Sequence, residues 1–150
     1  MRFSSYLSAA ALSATAAIAA PYTWSITNWS AGSDFGSFQV SAPAAEHNGV
    51  SIPAFSLTAP CKAQGQADES VDCSSLIENN TDGRTFTVQL VTADDVSVTV
   101  GGTLGFKNGG TSHTLATWVA GKKDGQGGPT SFSVTGFALD NERGQDITAS

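Results

Sequence analysis

Apolar and polar side chains alternate with a period of two along most of this chain. The alternation is clearest in residues 85–90, where Phe, Val and Leu alternate with Thr and Gln, and in residues 96–100, where Ser and Thr separate three valines. Side chains of a β-strand point alternately to its two faces, so these runs predict strands with one packed face and one wet face. Shorter runs of the same kind lie at residues 24–27, 38–40, 55–57, 115–120 and 132–139.

Turn-forming residues separate the predicted strands. Asn48-Gly49, Asp82-Gly83 and Asn108-Gly109 are typical of tight turns, and residues 93–95 predict a hairpin between two strong strands. The alternation changes face at Gly136, which indicates a β-bulge. About seven or eight short antiparallel strands must close or fold over to protect their edges. The predicted fold class is therefore all-β, a single-domain antiparallel β-barrel or sandwich, and the pattern does not decide between the two.

Two segments lack the alternation. Residues 121–128 are rich in glycine and contain Lys122 and Lys123, which we interpret as a flexible hairpin connection. Residues 64–78 predict an irregular loop with at most one helical turn.

The first nineteen residues have the layout of a secretory signal peptide. Arg2 supplies a positive charge, residues 7–20 are apolar, and Ala17-Ile18-Ala19 is a small-x-small cleavage pattern. The apolar run is shorter than the roughly 20 residues that span a bilayer. We expect cleavage after Ala19, a domain over residues 20–150, and a secreted, extracellular protein without membrane insertion.

Export determines the expected state of the two cysteines. Cys61 and Cys73 would reach an oxidising compartment, where thiols pair. Closing this short loop is worth roughly 3 kcal/mol in the chain-entropy treatment.

Charge and composition exclude several classes of protein. The chain has 150 residues, 13 acidic and 7 basic, with a formal net charge of −6. It lacks the basic patch that nucleic-acid binding requires, and anionic lipid surfaces would repel it. Two cysteines and two histidines in these positions match no zinc-site spacing. We expect no nucleic acid, metal or cofactor, and a monomer.

Motifs for catalysis are missing from the sequence. There is no Gly-x-Ser-x-Gly string, although a triad can assemble from distant residues. His47 and His113 are interpreted as solvated side chains. A glycosidase would need two opposed carboxylates, but half of the acids fall in predicted loops, where solvated acids are common. The acids in predicted loops are Asp68, Glu69, Asp72, Asp82, Asp94, Asp95 and Asp124. We therefore assign no catalytic residue.

The three tryptophans have different predicted positions. Trp24 has the parity of Ile26 and is expected in the core, whereas Trp29 has the parity of Ser25 and Thr27 and is a candidate for the surface. An exposed tryptophan stacks on a sugar ring or anchors a protein partner, but a closed barrel end would equally cover it. Trp29 and Trp118 are the candidate partner-binding residues.

Two sequons are candidate N-glycosylation sites in a secreted eukaryotic chain. They are Asn28-Trp29-Ser30 and Asn79-Asn80-Thr81. Asn79 lies in a predicted turn and is the better placed of the two acceptors.

Two segments resemble a known family. Residues 22–29, Tyr-Thr-Trp-Ser-Ile-Thr-Asn-Trp, and residues 55–68, followed by Cys73, are similar to small secreted fungal proteins. These are the Alternaria major-allergen-like proteins and the related hypersensitive-response-inducing elicitors. The resemblance implies a compact antiparallel β-barrel, an effector or elicitor that plant cells sense, and no catalysis. The allergen branch has additional cysteines, so the elicitor branch fits better.

These observations predict a secreted, non-catalytic effector that induces plant defence or hypersensitive cell death. Its expected partner is a plant extracellular or plasma-membrane protein. The alternative is a carbohydrate-binding module or a small cell-wall-active hydrolase, which Trp29, Trp118 and the acidic loops would support.

Overall fold

The computed structural model describes residues 21–65 and 69–140. The predicted signal peptide, residues 1–19, and Asp68 lie outside these ranges. The described residues form twelve strands and one short 3₁₀ helix, Ser74–Leu76. The strands are β1 Trp24–Gly32, β2 Phe35–Ala42, β3 Ala45–His47, β4 Val50–Ile52, β5 Phe55–Ser56, β6 Cys61–Gln64, β7 Ser70–Asp72, β8 Thr85–Ala93, β9 Ser97–Asn108, β10 Thr111–Lys122, β11 Phe132–Val134 and β12 Ala138–Leu139.

The strands build two five-stranded sheets and one separate hairpin. The first sheet has the order β11-β1-β2, with β5 and β6 both pairing the far edge of β2; the second has the order β12-β10-β9-β8-β7. The hairpin is β3-β4, and every pairing is antiparallel. The all-β antiparallel prediction is confirmed, as a sandwich or barrel-like arrangement. The structure has more strands than expected because six of them are only two or three residues long.

The inner faces of the two sheets share one hydrophobic core. Trp24 of β1 lies at its centre, with ring centroids 5.5 Å from Phe55, 5.7 Å from Phe86 and 5.1 Å from Phe137. The alternation predicted these inward positions, because period-two patterning separates a packed face from a wet one. Val96 is an exception: it is 41 % exposed at the end of the β8–β9 turn, directly before β9.

The predicted hairpin turns are confirmed. Asn48 and Gly49, between β3 and β4, have φ angles of 51° and 79°, and Gly109 and Gly110, between β9 and β10, have 62° and 86°. Two successive positive φ angles match the right-handed twist of the flanking strands, and asparagine and glycine adopt them readily. The predicted hairpin at residues 93–95 joins β8 to β9, with the connection itself one residue further on, at residues 94–96.

Two of the connections that pass between the sheets, β10 to β11 and β11 to β12, differ from the sequence prediction. Residues 121–128 were expected to form a hairpin loop, but β10 belongs to the second sheet and β11 to the first. The change of face at Gly136 is not a bulge within one strand. Gly136 has a φ of 88° and lies where the chain leaves β11 for β12 in the other sheet. Its carbonyl accepts a hydrogen bond from Thr117 Oγ1 at 3.1 Å.

The disulfide joins the two sheets. Cys61 begins β6 of the first sheet, and Cys73 directly follows β7 of the second; the Cα atoms are 6.0 Å apart. The predicted pairing is therefore confirmed. The expected irregular loop over residues 64–78 is more ordered than predicted in its described part, because residues 70–72 pair with β8.

Tyr22 gives a pH-dependent prediction. Its hydroxyl is buried without a hydrogen-bond partner among the described residues, as is the indole N–H of Trp24. Burial raises the pKa of Tyr22 to about 12. The neighbouring Trp24 side chain lowers that pKa by a smaller amount, although its Nε1 and the Tyr22 hydroxyl are not in hydrogen-bond geometry. The unfolded state therefore ionises first, near pH 10. We expect the free energy of unfolding to be intact below pH 10 and to fall by about 3 kcal/mol as the pH rises towards 12.

Denaturant unfolding at a series of alkaline pH values measures this loss. Tyr22→Phe is the control, since it removes the titrating group and the unpaired hydroxyl together. The variant should lose this part of the pH dependence and be no less stable at neutral pH. Equal alkaline slopes in the two proteins would contradict the prediction.

Candidate functional site

Trp29 is buried, which is the second of the two alternatives that the sequence left open. The pairing of β1 with β2 shifts register between Thr27 and Ser30, and Asn28 inside this bulge has a φ of 54°. The extra residue rotates the following side chains to the other face. Trp29 consequently points inwards, is 4 % exposed, and donates a hydrogen bond from Nε1 to the carbonyl of Lys122 at 2.8 Å. The candidate partner-binding role of Trp29 is therefore wrong, because the ring is covered and is not presented to a partner.

Glycine at position 121 makes room for the Trp29 ring. A β-carbon on Gly121 would lie 2.4 Å from Cε2 of Trp29, closer than real contacts allow. On its other sides the ring packs against Phe38 and Phe132, with centroids at 6.2 Å and 5.7 Å. The sequence signal for this arrangement was Asn28, because asparagine adopts positive φ more readily than most residues within a strand.

Trp118 lies on the surface, at 68 % exposure. It projects from the outer face of β10, opposite Gly101 of β9, which in turn pairs with Gln89 of β8. A β-carbon on Gly101 would be 3.7 Å from Trp118 Cδ1 and 3.4 Å from Val91 Cγ2. Gly101 is thus the floor of a depression with Trp118 on one side and β8 on the other.

We call this depression the Trp118 groove. Its volume is about 320 Å³. Its lining combines one aromatic ring with small, hydroxyl and amide side chains: Ser70, Thr87, Val88, Gln89, Val91, Gly101, Gly102, Thr103, Ala116, Thr117 and Trp118.

No acidic or basic side chain lines the groove, although exposed Asp72 of β7 pairs with Thr87 at its edge. Residues 85–93, 97–106 and 111–121, which make up nearly all of β8, β9 and β10, contain no Asp, Glu, Lys or Arg. Ser70 Oγ donates to Gln89 Oε1 at 3.3 Å, which links β7 to the groove edge. The groove can therefore offer a ligand a π-face, hydroxyl groups and an amide, but no formal charge. The parity of Trp118 was visible in the sequence, whereas the role of Gly101 depends on the register of two strands.

His113 is a structural residue rather than the solvated side chain that we expected. Nδ1 contacts Asp140 Oδ2 at 2.6 Å, and the ring stacks on Phe106 at 5.5 Å. The other oxygen of Asp140 accepts the backbone N–H of Thr114 at 2.9 Å. Burial works against ionisation of Asp140, but the hydrogen bonds from His113 and Thr114 outweigh this effect and lower the pKa of Asp140. These contacts fasten the end of β12 to β10.

Arg84 is a buried residue that sequence analysis missed. It is 8 % exposed, and its guanidinium donates to Asp82 Oδ1 at 2.8 Å, the Ala54 carbonyl at 2.8 Å and the Asn79 carbonyl at 3.3 Å. The Asn80 side chain bonds both backbone groups of Arg84, at 2.9 Å and 2.7 Å. Arg84 therefore organises the turn before β8. A depression of about 520 Å³ beside it is lined by Ser25, Ser41, Ala42, Pro43, Ala54, Phe55, Ser56, Glu78, Asn79 and Arg84.

Several loop carboxylates bind nearby backbone. Asp94 accepts the N–H groups of Val96 and Ser97 at 2.8 Å and 2.7 Å and so closes the β8–β9 turn. These two hydrogen bonds lower the pKa of Asp94. Asp124 accepts the N–H of Ala31 at 3.2 Å and holds the 121–128 segment against β1.

Both glycosylation acceptors lie on the surface. Asn28 donates from Nδ2 to Gln39 Oε1 at 2.8 Å, and Asn79 has a φ of 53° in the turn before β8. Modification of either side chain stays a prediction.

Over residues 21–65 and 69–140, no helix is long and apolar enough to cross a membrane. Within the same ranges, no three His, Cys, Asp or Glu side chains gather as a metal site.

No protein-family model, curated protein or solved structure matches this chain.

Proposed function

We propose that this chain is a secreted, non-catalytic effector of the elicitor kind. Its folded surface is recognised by a plant extracellular or plasma-membrane protein, and recognition induces defence or hypersensitive cell death. The resemblance of residues 22–29 and 55–68 to fungal elicitors supports this proposal.

The observation that carries the proposal is the disulfide between the two sheets. Disulfides of this kind persist in oxidising, extracellular surroundings. Cys61–Cys73 covalently joins two sheets that already share an aromatic core. Backbone hydrogen bonds reinforce the same region: Thr58 N donates to the Leu76 carbonyl at 2.8 Å and Glu78 N to the Ser56 carbonyl at 2.8 Å. Such a scaffold keeps a fixed surface shape for a receptor, and rigid partners lose little conformational entropy on binding.

Leaf infiltration tests the proposal. Protein secreted from a fungal expression host is infiltrated into leaves of several plant species, and electrolyte leakage and local cell death are scored against dose. We expect a dose-dependent response to the folded protein. The matched control is the same preparation after reduction, alkylation and heating, which preserves the sequence but not the surface.

The control should give no response. A response of equal size from the denatured sample would show that a linear peptide or a contaminant is active, which contradicts recognition of a folded surface. The absence of any response to the folded protein in all species would also contradict the elicitor proposal.

A further inference from the structure

We propose that the Trp118 groove binds a neutral polysaccharide chain, with the indole of Trp118 stacked on a sugar ring. This inference does not depend on the effector role, because it follows from the outer face of the second sheet alone.

The exposure of Trp118 is the first argument. Leaving a large aromatic side chain in water is unfavourable, and burying one against a ligand recovers that free energy. The fold buries Trp24 completely and Trp29 to 4 % exposure, whereas Trp118 remains 68 % exposed. The other exposed large hydrophobic residue of the described chain, Val96, lies beside a turn at the end of the sheet. Trp118 is instead placed well inside a twelve-residue strand, facing a groove.

The chemistry around the ring is the second argument. One face of a pyranose ring presents C–H groups that stack on an aromatic π-face, while its hydroxyl groups radiate from the ring edge. Gln89, Thr87 and Thr103 line the groove and carry the amide and hydroxyl groups that such an edge requires. Since no acidic or basic side chain lines the groove, and Asp72 of β7 beside Thr87 would repel an anion, the matching ligand is uncharged.

The space above Gly101 is the third argument. Gly101 does not have a left-handed backbone, so β-carbon-bearing residues are conformationally allowed there. Glycine inside a strand weakens it and often marks a bulge, a bend or a close approach by a ligand or another backbone. The β8–β9 pairing does shift register between Leu90 and Thr92, beside Gly101. Here the missing side chain keeps open the gap between Val91 and Trp118, where a β-carbon would touch both.

A saccharide fits this surface better than a protein does. A standard protein interface buries about 800 Å² on each partner around clustered aromatic and aliphatic anchors. The neighbours of Trp118 in the groove are mainly Thr, Gly and Ala, so one ring is the only large anchor among the lining residues. One ring with adjacent hydrogen-bonding groups is the arrangement that suits a single sugar unit of a chain.

Affinity electrophoresis in native gels tests the proposal. The gels contain mixed-linkage β-glucan, xylan or galactomannan, and polygalacturonate serves as the charged comparison. We expect saturable retardation of the wild-type protein by at least one neutral polysaccharide and none by polygalacturonate. Trp118→Ala and Gly101→Val should each weaken the apparent affinity by about tenfold or more, since the first removes the stacking ring and the second fills the groove.

The matched control is Val96→Ala, which removes the other exposed apolar side chain and should bind like the wild type. Circular dichroism and thermal unfolding establish that each variant folds. If Gly101→Val does not fold, the comparison of polysaccharide binding by Trp118→Ala and Val96→Ala still tests the proposal. The proposal is overturned if no neutral polysaccharide retards the protein, if Trp118→Ala binds like the wild type, or if only polygalacturonate retards it. Sedimentation that shows a dimer lost in Trp118→Ala would assign the groove to a second copy and would also overturn it.

These gels contain no plant receptor, so their result is independent of leaf infiltration. A protein that binds polysaccharide but elicits no response refutes the effector proposal alone, and the reverse result refutes the groove proposal alone.

Discussion

Replacing Trp29 with alanine should lower the free energy of unfolding by about 3–5 kcal/mol, the range for large aromatic truncations in a packed core. The substitution empties the space between Phe38 and Phe132 and removes the donor to the Lys122 carbonyl. That carbonyl belongs to the end of β10, so the loss also loosens the contact between β10 and β1. Urea unfolding followed by far-ultraviolet circular dichroism measures the change.

Trp118→Ala is the matched control, because it removes the same side chain from an exposed position. We expect its free energy of unfolding to stay within about 0.5 kcal/mol of the wild type, as for most surface substitutions. A cost below about 1 kcal/mol for Trp29→Ala, or a larger cost for Trp118→Ala than for Trp29→Ala, would contradict the burial pattern.

Removing the disulfide should cost about 3 kcal/mol of unfolding free energy. The double variant Cys61→Ser with Cys73→Ser releases a loop of sequence separation 12 and frees β6 from the end of β7. The antiparallel bridge between Leu57 and Ile77 still connects the same region, so we expect a weakened fold rather than an unfolded chain. Denaturant midpoints of the two proteins give the difference.

Reductant provides the control for the disulfide prediction. It should lower the stability of the wild type towards that of the double variant and leave the double variant unchanged. A wild-type melting temperature that is insensitive to reductant, with the thiols shown to be accessible and reduced, would contradict a stabilising role for the bond.

Local features of the sequence predicted much of this fold. Alternation separated the core side chains of β8 and β9 from their solvent-facing neighbours, because the two faces of a strand follow from backbone geometry alone. The turns at Asn48 and Gly109 were predictable for the same reason, since positive φ angles favour those residues wherever they occur. The expected export and the presence of two cysteines were enough to predict the disulfide.

Features that depend on distant pairing were not predictable. Alternation shows which residues share a face, but it does not show which sheet a strand joins, so the passage of residues 121–128 between sheets was missed. A single positive φ at Asn28 reversed the side-chain direction of Trp29, and a period-two count cannot register one extra residue. The His113–Asp140 contact joins residues 27 positions apart and left no local pattern.

The candidate site was half predictable. Trp118 lies between Ala116 and Ala120 in the alternating pattern, and this position made it a candidate for the surface. The structure places it there. Gly101 became part of the groove only through the register that aligns it with Trp118 and Gln89. One side chain of the site could thus be found from the sequence, and the space beside it could not.

The flanking strands of both large sheets are very short: β5, β6, β7, β11 and β12 each have four residues or fewer in the described chain. A long unpaired edge strand is a template for pairing with another molecule and hence for aggregation. Edge strands as short as these leave few backbone groups for a strand of another molecule to pair with, so edge-to-edge aggregation has little to start from at these positions.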